Sequence, residues 1–229
     1  MRISSTNRPD GRHSLSLSPE RPEEAVPGLR DLLVDASVLG IPGDRLAAVA
    51  ALAFEPYLRG VISTERPISP LMARALSTFL DPAFVTPSNI SPEGTQFTGS
   101  GTTIVLDQGH RGIIGRNRVD RTQVISLDVL PMTTWTGRLF SMDRLVVASN
   151  ADLIAREREL GTRSGPHLAV ALAFAHELHV SRIVLPESTG SDPCWVHRAT
   201  ALLAATGVDL VVTSEDSDLH HELIEEGGV

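Results

Sequence analysis

Residues 165–193 read GPHLAVALAFAHELHVSRIVLPESTGSDP, and this stretch decides the fold class. Its first part, 165–178, places Leu168 and Leu172 on one face at helical spacing, which predicts a helix. The apolar run Arg182–Leu185 follows as a short strand and ends in a polar loop rich in Gly, Ser, Asp and Pro. A helix that leads directly into a wholly apolar strand is typical of a parallel α/β sheet.

The chain from residue 83 onwards repeats this alternation of strands and helices. Apolar, β-branched runs bounded by polar turns predict four more strands, at 102–106, 123–130, 144–148 and 210–213. Helical patterns cover about 194–206 and about 217–226. Residues 83–229 are therefore expected to form an α/β domain with a parallel sheet.

The N-terminal part has a different texture. Residues 1–28 combine Ser, Pro, Arg and Glu with little hydrophobic periodicity, which predicts a flexible leader. Residues 29–82 are expected to form a helical region, because 44–58 has apolar residues at helical spacing and 69–80 begins with a Ser–Pro start signal. The segment 29–40 fits either a helix or a buried strand, and a helix is preferred here.

The composition excludes several classes of protein. The chain has 229 residues, of which 41% are apolar and 21% charged. No uninterrupted apolar stretch is long enough for a membrane span, and the first residues lack the apolar segment of a secretory signal, so a cytoplasmic protein is expected. All 20 basic residues are arginines, which excludes a P-loop lysine and a Schiff-base lysine. The formal net charge of −8 argues against general nucleic-acid binding.

Polar loops follow the predicted strands at their carboxyl ends, where parallel sheets bind ligands. These loops span 107–112, 131–135, 149–152 and 186–193. In the first loop, Gly109 and Arg111 offer backbone N–H groups and a positive charge to a phosphate; a simple turn solvated by arginine is the alternative. In the last loop, Ser191 and Asp192 have the chemistry to hold a ribose or a phosphate-bound metal, whereas Asp192 could equally cap the next helix.

The sequence also has partial signals of two other kinds of site. His176 and His179 lie three residues apart, and HELH lacks the HExxH spacing of a zinc protease, so a metal site there is disfavoured. The segments 33–37 and 211–219 resemble the first and last acidic motifs of PIN-domain ribonucleases, in which carboxylates hold divalent metal ions. That hypothesis requires Asp35 and Asp216 to converge.

The order of segments resembles one family over residues 29–215. The segments are LLVDASVLGIPGDRL, RPISPLMARALSTFL, TTIVL, ISLDVLP, RLVVASNADL, SGPHLAVALAFAHELHVSRIVLPES and GSDP. They are similar to 7-cyano-7-deazaguanine synthases and asparagine synthetase C-terminal domains, members of the adenine nucleotide alpha-hydrolase (N-type ATP pyrophosphatase) superfamily. Some members occur in bacterial antiphage defence clusters. The resemblance implies a HUP-like α/β domain with ATP and Mg²⁺ as ligands.

In that family a strand runs into an SGGxDS loop that binds the pyrophosphate of ATP. The matching loop, 107–112, keeps one glycine and lacks the serine, the second glycine and the aspartate. The zinc site of deazaguanine synthases needs four cysteines, whereas this chain has only Cys194, so no zinc is expected. The resemblance implies these nucleotide-binding residues: Asp107, Gly109, His110, Arg111, Asn150, Gly190, Ser191 and Asp192.

The function that the resemblance implies is that of a degenerate ATP-pyrophosphatase-like protein. Such a protein would be a nucleotide-binding or non-catalytic subunit of a larger bacterial system, acting with a protein partner or with further copies of itself. An active ATP-dependent adenylating or amide-forming enzyme with an altered loop is the first alternative. The PIN-like metal-dependent ribonuclease is the second.

Overall fold

The computed structural model describes residues 1–22, 24, 27–92, 101–107, 123–157, 164–186 and 192–213. Eleven strands of these residues form one sheet. They are β1 (Arg2–Asn7), β2 (His13–Ser18), β3 (Asp31–Val34), β4 (Gly60–Thr64), β5 (Val85–Pro87), β6 (Thr102–Asp107), β7 (Val124–Pro131), β8 (Arg138–Phe140), β9 (Arg144–Ser149), β10 (Val180–Pro186) and β11 (Asp209–Thr213). The helices among them are α1 (Gly43–Phe54), α2 (Pro70–Leu80), α3 (Ala151–Glu157), α4 (Ser164–Phe174) and α5 (Pro193–Ala204).

Five strands form a parallel group in the order β9-β7-β6-β10-β11. Counted along the chain, this order is third, second, first, fourth, fifth, so the direction of strand addition reverses between β6 and β10. The α/β class and the mostly parallel sheet are therefore confirmed. All five predicted apolar strands are present, and the predicted helices at 44–58, 69–80, 165–178 and 194–206 correspond to α1, α2, α4 and α5.

The N-terminal strands extend the same sheet. β3 joins β9 in antiparallel fashion, and β2 and β1 follow in a hairpin. The expectation of a flexible leader is therefore wrong for the described part of residues 1–28, because Ile3, Leu15 and Leu17 are buried in the core. The preference for a helix over 29–40 is also wrong, since Asp31–Val34 is a strand.

The core lies between the sheet and a layer of mutually packed helices. Every residue of α1 is buried, and α1 packs against all four other helices. Its run of alanines presents small side chains on all sides, which lets neighbouring helices approach closely. The strands contribute alternate residues to this core, among them Ile104, Leu127, Leu145 and Ile183.

The connection from β7 to β9 contains β8 in place of a helix. A HUP-like domain therefore stays a prediction beyond the α/β class. The helix predicted at about 217–226 lies outside the described residues. In the described part of the chain, no helix combines the length and apolar character needed to cross a bilayer.

Candidate functional site

The carboxyl ends of the five parallel strands meet at one edge of the sheet. β6 ends at Asp107 and β10 ends at Pro186, and these two strands are hydrogen-bonded neighbours. Adjacent strands lie about 5 Å apart. Because strand addition reverses between them, the crevice beyond their ends is where an open α/β sheet binds its ligand. The loops predicted to bind nucleotide leave the sheet at these two ends.

The structure describes three of the eight residues predicted to bind nucleotide. Asp107 is the last residue of β6, which places its backbone at the crevice. Asn150 and Asp192 are described with their side chains. The other five predicted residues lie outside the described ranges; they are Gly109, His110, Arg111, Gly190 and Ser191.

Asp192 caps α5. Its Oδ1 accepts a hydrogen bond from the Cys194 N–H at 3.0 Å. This is the capping role that the sequence left open as an alternative to ligand binding. The cap fixes the start of α5, the helix that follows β10 in the chain and precedes β11.

Asn150 holds β3 to the end of β9. Its Oδ1 accepts from the Leu33 N–H at 2.8 Å, and its Nδ2 donates to the Asp31 carbonyl at 2.8 Å. The side chain is buried, so both halves of the amide are used by backbone groups. Asn150 follows β9, which lies two strands from β6, roughly 10 Å across the sheet. The residue of β9 in register with Asp107 is Val146, so Asn150 lies four residues further along, roughly 13 Å. The structure does not bring Asn150 together with the β6–β10 crevice.

Asp128 is a buried carboxylate on β7. It is the register partner of Asp107 on β7, and only 5% of its surface is exposed. Arg144 neutralises it, with Nε donating to Oδ2 at 2.6 Å. An aspartate within the apolar run QVISLDVL was the available signal, because a buried carboxylate requires a charged or hydrogen-bonding partner.

The histidines do not form a metal centre among the described residues, where no three His, Cys, Asp or Glu side chains come together. His167 Nε2 lies 2.9 Å from Asp152 Oδ1, and the hydrogen bond with His167 lowers the pKa of Asp152. Burial, with smaller contributions from Arg45, His179 and Arg66, lowers the pKa of His176. A partly buried histidine in the turn between α4 and β10, with a lowered pKa, is consistent with a structural role.

Asp35, the first carboxylate of the ribonuclease hypothesis, makes contacts within the fold through both oxygens. Oδ1 accepts from Arg12 Nε at 3.3 Å, and Oδ2 accepts from the Gly137 N–H at 2.6 Å. Asp216 lies outside the described residues. The geometry of Asp35 is thus explained by its bonds to the turn after β1 and to the connection before β8.

No family model, curated protein or solved structure matches this chain. The class that the fold defines is an α/β protein with a mixed, mostly parallel sheet. Any assignment of function therefore rests on the chemistry of the carboxyl edge and on the family resemblance of its segments.

Proposed function

We propose that this protein binds a nucleotide at the carboxyl edge between β6 and β10, as a degenerate member of the ATP-pyrophosphatase-like class. The observation that carries the proposal is the reversal of strand order between these two neighbouring strands. Open α/β sheets bind ligands at this position, since the connections on either side of it diverge and leave a crevice. The glycine-containing segments 107–112 and 186–193 begin at its two sides.

The chemistry of the edge suits phosphate groups. Arg111 carries a guanidinium that can bind two phosphate oxygens at once. The start of α5, fixed by the Asp192 cap, adds the positive end of a helix dipole. The negative charge of Asp128 is neutralised by Arg144, which reduces its repulsion of a phosphate bound beside β7.

The described donors fit Mg²⁺ less well than they fit phosphate. Mg²⁺ prefers carboxylate oxygens and water, but Asp128 Oδ2 is occupied by Arg144 and no cluster of metal ligands lies among the described residues. If Mg²⁺ takes part, it would therefore be carried by the nucleotide phosphates. The protein's own residues would then bind and orient the nucleotide.

A binding role without catalysis follows from the sequence of the first loop. Release of pyrophosphate requires donors that stabilise the departing charge, and the family supplies them through SGGxDS. Here Gln108, His110 and Arg111 stand in a loop that lacks the serine and the aspartate of that motif. We propose that the protein acts as a non-catalytic subunit of a larger bacterial system, for which antiphage defence is the setting that the resemblance suggests.

The experiment that locates the site compares two arginine variants by calorimetric titration with ATP. Arg111→Ala should weaken binding at least about tenfold, the loss expected for a charged hydrogen-bonded contact. Arg74→Ala, which removes an exposed arginine from α2, should leave affinity unchanged. Thermal melting of both variants checks that they are folded. Equal affinities for Arg111→Ala and Arg74→Ala would contradict the proposed site.

A further inference from the structure

The hairpin that contains β8 carries an unusual concentration of exposed apolar side chains. Four of the ten large apolar residues that are exposed in the described part of the chain lie within residues 135–142. They are Trp135, Leu139, Phe140 and Met142, with exposed fractions of 39%, 55%, 52% and 84%. They lie on both faces of one stretch of chain at the edge of the sheet, and exposed apolar side chains concentrated along an edge indicate contact with another molecule.

The same hairpin leaves backbone hydrogen-bonding groups pointing away from the sheet. Gly137 O accepts a bond from β9 at 3.2 Å, and Ser141 N donates one to β9 at 2.8 Å. Because bonded residues alternate along an antiparallel strand, Arg138 and Phe140 direct their N–H and C=O groups away from β9. Within the described residues β8 pairs with β9 and with no second strand.

The contrast with β5, at one end of the main strand order, shows how unprotected this edge is. Both strands are three residues long, but β5 ends in Pro87, which has no N–H to offer to another strand. β8 contains no proline, and its outward backbone groups belong to an arginine and a phenylalanine flanked by Leu139. An edge of this composition is a template for pairing with another strand.

We propose that β8 pairs with β8 of a second copy of this chain, antiparallel, about a two-fold axis that passes between the two Leu139 residues. In this register Arg138 and Phe140 of one copy exchange hydrogen bonds with Phe140 and Arg138 of the other, which satisfies all their outward backbone groups. The surface is then self-complementary, as a two-fold contact requires.

The side chains support this register. Each Arg138 meets the Phe140 ring of the other copy, a cation–π arrangement, and no like charges face each other directly. Glu177 lies 3.1 Å from Arg138 and balances its charge within each copy. Leu139, on the opposite face of the strand, meets its own counterpart.

The available area sets the strength of the contact. The exposed parts of the four apolar side chains amount to about 400–500 Å² per copy. Two copies then bury at most about 800–1,000 Å², at the lower limit for a specific interface. The expected product is a dimer that forms at micromolar concentrations and dissociates on dilution.

Cysteine cross-linking tests the register. In a Cys194→Ser background, Leu139→Cys should form a disulfide-linked dimer with oxidised glutathione, because directly opposed residues of a non-bonded pair have Cα atoms about 4.5 Å apart. Phe140→Cys is the matched control: its counterpart is displaced by two residues, at about 8–9 Å, too far for a disulfide. Equal cross-linking of the two variants, or none with Leu139→Cys, would overturn the proposed pairing.

Sedimentation over a range of concentrations tests the dimer without modification. The unchanged protein should show a reversible monomer–dimer equilibrium, and Leu139→Lys should weaken it at least about tenfold by placing two like charges on the axis. Leu71→Lys makes the same change at an exposed leucine of α2 and should leave the equilibrium unchanged. A protein that remains monomeric up to several hundred micromolar, or a Leu139→Lys variant that dimerises as before, would refute the proposal.

Discussion

Asn150 and Leu33 are joined by two hydrogen bonds, from Leu33 N–H to Asn150 Oδ1 at 2.8 Å and from Asn150 N–H to the Leu33 carbonyl at 3.3 Å. They lie 117 positions apart in the sequence, at the junction of β3 and β9. The β3–β9 register consists of the single pair Val34 and Ser149. The Asn150 amide adds two hydrogen bonds to this junction, beside those from Ser149 Oγ to the Leu33 carbonyl at 2.7 Å and from the Asp35 N–H to the Ala148 carbonyl at 2.8 Å.

Asn150→Ala should lower the free energy of unfolding by about 1–3 kcal/mol, because it leaves the partly buried Leu33 N–H and Asp31 carbonyl without their partner. Urea unfolding followed by circular dichroism measures this change. Gln123→Ala removes an exposed amide, which donates to the Met142 carbonyl, and should cost less than about 0.5 kcal/mol. Similar costs for the two variants would show that Asn150 does not hold the two parts together.

Gly43→Ala should destabilise the protein by about 3 kcal/mol or more. A Cβ at Gly43 would lie 2.1 Å from the Pro67 carbonyl oxygen, a backbone atom that cannot move without displacing the start of α2. Gly40→Ala is the matched control, since its Cβ would meet only the end of the Arg66 side chain, at 3.0 Å. Thermal melting should separate the two variants clearly, and a Gly43→Ala protein as stable as Gly40→Ala would contradict the close packing of α1.

Stability should fall as pH decreases below about 6.5, the unperturbed histidine value. Burial lowers the pKa of His13, which is 3% exposed, so the unfolded chain binds more protons than the folded one between the two pKa values. The contribution of His13 is therefore complete above pH 6.5 and is lost as pH falls towards its folded pKa. Urea midpoints measured from pH 7.5 to pH 5 check this dependence.

His13→Asn should flatten part of that decline by removing one titrating group. The variant will also lose stability at pH 7.5, since His13 contacts Asn7 at 2.9 Å, so the comparison concerns the slope with pH. An unchanged slope in His13→Asn would assign the acid sensitivity to other groups, among which His176, whose pKa burial also lowers, is the next to test.

The parallel part of the fold was accessible from sequence because its strands are continuous apolar runs. The run TTIVL lies in β6, and RIVL lies in the centre of β10. Helices occur where the apolar residues recur about every 3.6 positions instead of in short continuous runs. Strand order is a long-range property, and only the structure shows that β10 returns beside β6. That return defines the position of the proposed ligand site.

The N-terminal strands were missed although a signal was present. The stretch HSLSLS at 13–18 alternates apolar and polar residues, the pattern of a strand with one buried face. The Ser, Pro and Arg residues around this stretch favour a flexible leader. An alternation over only six residues is a weaker signal than that composition. In 31–34 the four residues DLLV are too few to separate a helix from a strand, so the pairing with β2 decided the outcome.

The roles of two predicted site residues could not be read from the sequence. Asp192 at a helix start has two roles that sequence cannot separate, and the structure shows the capping one. Asn150 follows a strand, as a ligand-binding residue would. Its side-chain amide instead forms hydrogen bonds with the backbone of β3, a segment for which the sequence favours a helix. Predicting the role of a side chain required the position of a segment far away in sequence.

The most direct test of the proposed non-catalytic nucleotide site is a calorimetric titration of ATP and Mg²⁺ into the purified protein, with pyrophosphate assayed in the same sample. We expect saturable binding of one nucleotide per chain and no release of pyrophosphate, since the segment after β6 lacks the hydrogen-bond donors that stabilise the departing charge. Saturable binding with pyrophosphate release would contradict the non-catalytic role and establish the altered loop as a working one. The absence of binding would contradict the proposed nucleotide site itself.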